Sequence, residues 1–206
     1  MVDLAEHLHS LGSATLGESG AHQMSNRIVA VWPGAHVAAP AYSVSCAPGD
    51  NLGVHVAVAT APAGSVLVVS VGGVVDLGYW GEVLTTAAES RGIVGLVIDG
   101  CVRDVDALEA HVFPVFSVGI ALPGATKDKP ATIGTSATVG DVEVHTGDWI
   151  VADRDGVVVV PVATLDDVVA AAQTRADKEA GFFTALRSGS TTVELLGLDA
   201  SIVTGP

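Results

Sequence analysis

Residues 97–108 read VIDGCVRDVDAL: an apolar run ends in Asp99-Gly100, and Arg103-Asp104 follow at once. An arginine there can grip a carboxylate through two parallel N–H bonds. An adjacent aspartate is a hard oxygen ligand suited to Mg²⁺ or Mn²⁺. Twenty residues separate Arg103 from Glu82, about one helix plus one strand, a spacing that brings two neighbouring strand ends to one edge of a sheet. Glu82 lies in Gly81-Glu82-Val83-Leu84, which reads as the start of a helix, where unpaired backbone N–H groups attract a carboxylate or phosphate. Together these groups suit a 2-oxo acid, with its carboxylate on Arg103 and the helix start and its carbonyl on a divalent metal. Residue types and spacing equally allow a bland reading, an exposed Arg103–Asp104 ion pair with Asp104 as a helix N-cap.

The elements that must position these residues follow from patterning. A short helix is expected over residues 2–10, and strands over 28–32 and 35–46 around the Pro33-Gly34 turn. A helix capped by Asp50 is expected over 50–61. Residues 65–71 (SVLVVSV) and 94–98 read as buried strands, separated by a Gly-rich loop and a helix over 82–91 that stops at Gly92. A further helix starts near Asp104, and residues 115–118 form the next strand. This alternation predicts a mainly parallel sheet. Over 131–161, short apolar strands alternate with Gly140-Asp141, Gly147-Asp148 and Asp155-Gly156, which are hairpin signals. A long helix over 164–187 follows, with Thr164 and Asp167 placed for a capping box. No internal repeat or linker interrupts the chain, so one α/β domain over 1–206 is expected.

Composition sets the outer limits. With 206 residues, 49% hydrophobic and few aromatics, the chain can build a sizeable core of Val, Ala and Gly. A formal charge of −14 argues against partners that present phosphate backbones, nucleic acid among them, and against anionic membrane surfaces. The longest apolar runs are too short and Gly-broken to span a bilayer, the first residues carry no signal-peptide pattern, and two distant cysteines make neither a zinc signature nor a disulfide framework. A cytoplasmic protein is the expectation.

Four runs share a further property: GDNLGVHVAVATAPAGSVLVVSVGG, WGEVLTTAAESRGIVGLVIDGCVRDVDAL, FPVFSVGI and GDWIVADRDGVVVVP. In this order they resemble the RraA-like proteins, which include the class II 4-hydroxy-4-methyl-2-oxoglutarate/4-carboxy-4-hydroxy-2-oxoadipate aldolases. The resemblance covers about residues 13–198, with a C-terminal helical arm over about 164–198. It implies an αββα sandwich of the phosphohistidine-domain-like type, assembled as a homotrimer or hexamer with sites between subunits. It implies a lyase that needs Mg²⁺ or Mn²⁺, cleaves 4-hydroxy-2-oxo acids to pyruvate and decarboxylates oxaloacetate. The family signature is an Asp, twenty residues, then Arg-Asp. By resemblance, Arg103 binds the pyruvyl carboxylate, Asp104 ligates the metal, and the backbone of Gly81, Glu82, Val83 and Leu84 cradles the substrate. Glu82 stands where the signature has Asp, one methylene longer, which leaves its catalytic role open. Glu179 matches a helix glutamate that reaches a neighbouring subunit's metal waters.

Other residues weigh less. Asp99 reads as an orienter of Arg103, as a group in the second metal shell, or equally as a simple turn cap. Trp80 reads as a packing plug rather than a substrate stack, and Cys101 as a small filler without a base nearby. The seven histidines are scattered without a metal-site pattern, and His55 is the one placed on the helix after the GDN motif. A second function class stays open, since the family takes its name from a protein that binds and inhibits an RNA-degrading endonuclease. A methyltransferase reading lacks a G-x-G-x-x-G loop after the first strand.

Overall fold

The computed structural model describes residues 3–204. Helix α1 (Leu4–Gly17) opens the chain and is longer than the pattern suggests, because Gly12 (φ +77°) kinks it and lets it continue. Residue 2 of the expected helix lies outside the described residues. Two short strands, β1 (His22–Gln23) and β2 (Val29–Ala30), precede the long β3 (Val37–Cys46). Helix α2 (Leu52–Thr60), β4 (Val66–Ser70), β5 (Gly78–Trp80), α3 (Glu82–Glu89), β6 (Gly95–Ile98), β7 (Cys101–Val102), α4 (Val105–Ala110), β8 (Val115–Ser117) and β9 (Gly119–Ile120) form the middle. Strands β10 (Ala131–Ile133), β11 (Ser136–Val139), β12 (Val142–His145), β13 (Trp149–Ala152) and β14 (Val157–Val160) lead into α5 (Leu165–Arg187) and α6 (Thr192–Leu196).

The large sheet runs β1-β14-β13-β3-β4-β6-β8-β2. Only its centre, β3-β4-β6-β8, is parallel, as the alternation predicts; β13, β14, β1, β2 and β10 pair antiparallel. The central strands β4 and β6 are apolar along almost their whole length because both faces are covered. On β13 and β14 the period of two separates two cores. Ile150, Ala152, Val157 and Val159 face the main core, while Val151, Val158 and Val160 face α1 and α5. The sheet therefore curls between two helical layers, the αββα arrangement expected.

Local details depart from the pattern in instructive ways. Gly140 (φ +55°) and Asp141 (φ +67°) form the two-residue turn of the β11–β12 hairpin, with both central residues left-handed. Gly147-Asp148 makes no hairpin, because β13 pairs with β3 and β14 instead; the Asp148 carboxylate accepts from the His145 and Val162 N–H groups. Thr164 caps α5 by position only, since its side chain makes no capping bond to the helix; the capping box sits at Thr191–Glu194 on α6. Asp50 is not the N-cap of α2, a position held by Asn51, although its Oδ1 accepts from Leu52 N–H at 2.8 Å.

Candidate functional site

The short strands β5, β7 and β9 form a separate parallel sheet. Each continues the chain just beyond one of the central strands β4, β6 and β8, so this small sheet gathers their carboxyl ends. Gly81 follows β5 and Arg103 follows β7 directly. The Arg103 N–H donates to the Trp80 carbonyl at 2.9 Å, locking the two segments together. The sequence spacing of Glu82 and Arg103 is thus realised as neighbouring strand ends.

Close backbone approach defines the site. A Cβ on Gly81 would lie 2.3 Å from Asp104 Oδ2 and 3.2 Å from Arg103 Cγ. One on Gly78 would lie 2.5 Å from the Ala121 carbonyl oxygen and 3.1 Å from Arg103 Cδ. Asp104 itself sits at φ +57°, an uncommon conformation for a residue with a side chain. It holds the N-cap position of α4, yet its side chain makes no capping bond there. Its Oδ2 instead accepts from the Glu82 backbone N–H at 3.1 Å, at the start of α3. Arg103 Nε lies 3.8 Å from the same oxygen, with both side chains somewhat under half exposed. The exposed ion pair of the bland reading is therefore present, but Asp104 is turned toward α3 rather than capping α4.

A cleft of about 180 Å³ opens here, lined by Gly81, Val83, Leu84, Arg103 and Asp104 among others. The Glu82 N–H is occupied by Asp104, so the Val83 and Leu84 N–H groups of the first turn are those left for a ligand. Trp80 is buried, donates from Nε1 to Thr85 Oγ1 at 2.7 Å and stacks on Phe113, which steadies the first turn of α3. Glu82 does not line the cleft; its side chain is 57% exposed and faces His111.

The cleft also holds Asn51, His55 and Lys127, which the spacing argument does not single out as site residues. Asn51 is buried and its Nδ2 donates to the Tyr79 carbonyl at 2.8 Å, while its Oδ1 has no partner among the described residues. An orphaned buried acceptor in a cleft wall suits a ligand hydroxyl. His55 is pushed below the usual imidazole range by burial and by Lys127, against the opposing pull of Asp50, and so is neutral near neutral pH. The GDN motif was the available signal for Asn51 and His55. Lys127 had none, because it arrives from the 121–130 segment held beside α2. That segment is tied down by Asp50, whose Oδ2 accepts from Thr126 Oγ1, Asp128 N–H and Lys129 N–H. Burial opposes the Asp50 charge, but these bonds and that from Leu52 hold its carboxyl below the usual range.

The remaining candidates lie elsewhere. Asp99 accepts from Val71 N–H at 2.8 Å and Ser70 Oγ at 3.3 Å, bridging the ends of β4 and β6, and burial raises its pKa. It lines a different cleft of about 580 Å³, with Cys101 and Arg27. Glu179 pairs with Arg175 at 2.9 Å along α5, and Arg175 also pairs with Glu18; neither lines the Arg103 cleft. Among the described residues no group of three or more His, Cys, Asp or Glu side chains could hold a metal ion. The donor set at the cleft is one partly exposed carboxylate, Asp104. That fits a largely hydrated Mg²⁺ or Mn²⁺, and not a cation that demands an all-protein cage. No helix among the described residues is long and apolar enough to cross a membrane.

The family model described as "RraA-like: Aldolase/RraA" matches residues 3–159. A protein of Halalkalibacterium halodurans named "Putative 4-hydroxy-4-methyl-2-oxoglutarate aldolase" is 36% identical over 145 residues, 70% of this chain and 69% of that one. Among solved structures, an uncharacterized protein from Pseudomonas syringae pv. tomato superposes with a TM-score of 0.81 at 26% identity, covering 96% of each chain. Streptomyces coelicolor RraAS2, described as an unusual member of the RNase ES inhibitor RraA protein family, does so with a TM-score of 0.77 at 26% identity, over 91% of this chain and 98% of that one. By the family model, by these relatives and by the fold itself, this chain belongs to the RraA-like family.

Proposed function

We propose that the chain is a lyase that cleaves 4-hydroxy-2-oxo acids of the 4-hydroxy-4-methyl-2-oxoglutarate type to pyruvate, with oxaloacetate decarboxylation as a side activity. The observation that carries this reading is the meeting of Arg103, Asp104 and the open first turn of α3 in one cleft. The names of the aldolase relatives support it. The chain has only nine Lys and Arg residues against 23 Asp and Glu, yet the cleft holds Arg103 and Lys127, which suits a substrate bearing two negative charges.

Arg103 and the Val83 and Leu84 N–H groups hold the substrate's 2-oxo acid end. As the C3–C4 bond breaks, or as carbon dioxide leaves oxaloacetate, the electron pair moves toward the 2-oxo oxygen. The fixed charge of Arg103 favours that shift more in the transition state than in the ground state. Asp104 would hold the divalent ion, which when bound supplies Lewis-acid polarisation of the 2-oxo group. In the aldol cleavage the C4 hydroxyl must lose its proton. The Asn51 Oδ1 suits that hydroxyl, and His55, neutral and lining the cleft, is the group that takes the proton. Schiff-base chemistry is disfavoured: Lys127 donates to the Ala125 carbonyl at 3.3 Å and Lys129 to that of Pro48, while Lys178 lies over Phe182 on α5.

The proposal extends to a cytoplasmic homotrimer or hexamer. Exposed Phe183, Leu196, Leu198 and Ile202 on the C-terminal arm support assembly, which is also the way Glu179 would come to lie near another subunit's cleft. A second reading, a protein-binding regulator of ribonuclease activity, is favoured by the description of the Streptomyces relative. The deciding experiment follows pyruvate release from 4-hydroxy-4-methyl-2-oxoglutarate and from oxaloacetate, with Mg²⁺ and with EDTA. Metal-dependent pyruvate that is lost in Arg103→Ala and Asp104→Ala supports the lyase. A folded protein that releases none from either substrate supports the regulator.

A further inference from the structure

Glu82 poses a problem that the lyase reading leaves open. It stands in the first turn of α3 between Gly81 and Val83, both of which line the cleft, yet it does not line the cleft itself. Its Oε1 lies 3.9 Å from His111 Nε2, and His111 Nδ1 lies 2.8 Å from Oε2 of Glu89. Glu82 and Glu89 are two turns apart on one face of α3, so a single imidazole spans both. The charged groups that face the ring from α3 are these two carboxylates, and α4 itself carries Asp106 and Glu109.

The ring is placed there by a strained turn. His111 follows the last residue of α4, and Val112 after it has φ +55° and is 68% exposed. The Val112 N–H donates to the Glu109 carbonyl and the Phe113 N–H to the Leu108 carbonyl, the bonding of a helix end that normally places glycine at this position. A β-branched residue is costly there. What holds the turn is Phe113, buried and stacked on Trp80. The chain thus tolerates strain at Val112 in a turn that sets His111 against α3.

Resting on the lyase reading, we propose that His111 is a positioning residue that holds the Glu82 carboxylate off the cleft. Glu89 orients the ring through Nδ1, which leaves the Nε2 edge of the ring facing the Glu82 carboxylate at 3.9 Å. Where the family signature has the shorter Asp, this chain has a side chain long enough to be drawn aside. Released, the same carboxylate can turn over the cleft mouth and oppose an anionic ligand bound on Arg103.

The test measures binding rather than turnover. The probe is oxalate, a planar dianion shaped like the enolate of pyruvate, titrated calorimetrically with Mg²⁺ and with EDTA. The proteins are the wild type, His111→Gln, Glu82→Gln and the double variant. His111→Gln should weaken oxalate binding about threefold, a modest exposed-charge effect, and should have no effect in the Glu82→Gln background. Glu89→Gln, which leaves α4 untouched, should weaken binding in the same direction and serves if His111→Gln does not fold. Equal weakening in both backgrounds would mean a structural role and overturn the proposal, as would wild-type-like binding by His111→Gln and Glu89→Gln. A wild type that binds no oxalate in either condition would instead remove the lyase reading, and this role with it.

Discussion

Replacing Gly81 with Ala tests the site through the smallest possible change. Gly81 has φ −169°, extended backbone that alanine adopts freely, so the effect is steric alone. The new Cβ would lie 2.3 Å from Asp104 Oδ2, where ordinary contact begins at 3.4 Å, and Arg103 Cγ at 3.2 Å closes the other side. The aspartate must therefore swing away by about 1 Å. Its backbone gives little help, being already in the left-handed region at φ +57°. The swing breaks the bond from the Glu82 N–H and moves the one carboxylate assigned to the divalent ion. A misplacement of this size costs about 10²-fold in kcat/KM, equivalent to about 2.7 kcal/mol of transition-state stabilisation. The fold should survive, since the loss is one partly exposed hydrogen bond worth about 1 kcal/mol. The assay couples pyruvate release to NADH oxidation by lactate dehydrogenase, with oxaloacetate and with 4-hydroxy-4-methyl-2-oxoglutarate, beside a thermal melt. A folded Gly81→Ala protein within twofold of wild-type kcat/KM would show that the Gly81–Asp104 approach plays no part in the chemistry.

Other perturbations reach other links. His55→Asn should depress cleavage of the 4-hydroxy acid about tenfold or more while affecting oxaloacetate decarboxylation much less, because only the first reaction releases a hydroxyl proton; equal loss in both would remove His55 as the proton acceptor. Asp50→Asn should destabilise the protein by about 2 kcal/mol by leaving buried N–H donors without their charged acceptor, read from the urea midpoint. The sign of its pH dependence follows from its lowered pKa: the Asp50 contribution is fully present above the usual carboxylate range and is lost only as pH falls through the depressed value. A wild-type minus Asp50→Asn stability difference that grows with falling pH would contradict this. Val112→Gly should raise stability by about 1 kcal/mol by relieving the left-handed strain, visible as a higher thermal midpoint.

How much of this was legible beforehand depends on the range of each interaction. Residues 65–71 and 94–98 read as buried strands because continuous apolar runs bounded by Gly and turn residues have few other uses, and β4 and β6 lie within one residue of those bounds. The Gly140-Asp141 hairpin was legible because two residues alone decide a two-residue turn. The twenty-residue spacing placed Glu82 and Arg103 at neighbouring strand ends because helix and strand lengths are fixed by local geometry. The long-range facts were not legible. The parallel centre β3-β4-β6-β8 follows the alternation within 35–118, but that alternation says nothing of where β13 and β14 pair. Nor could Gly147-Asp148 be told from a hairpin turn until β3 was seen to take β13 as its partner.

The sequence by itself determined the chemistry available: an arginine and an aspartate together, a helix start opposite them, and a shortage of positive charge that makes each cation in a cleft informative. Those properties belong to residue types and short spacings, which survive any fold that keeps the local elements. Only the tertiary structure decided what each group faces. Asp104 turns to the Glu82 N–H rather than capping its own helix, Glu82 turns to His111, Asp99 serves a different cleft, and Lys127 arrives from a segment held by Asp50 some eighty residues earlier. Side-chain direction is set by packing and by competing hydrogen-bond partners that come from distant parts of the chain, and no local pattern encodes which of them wins.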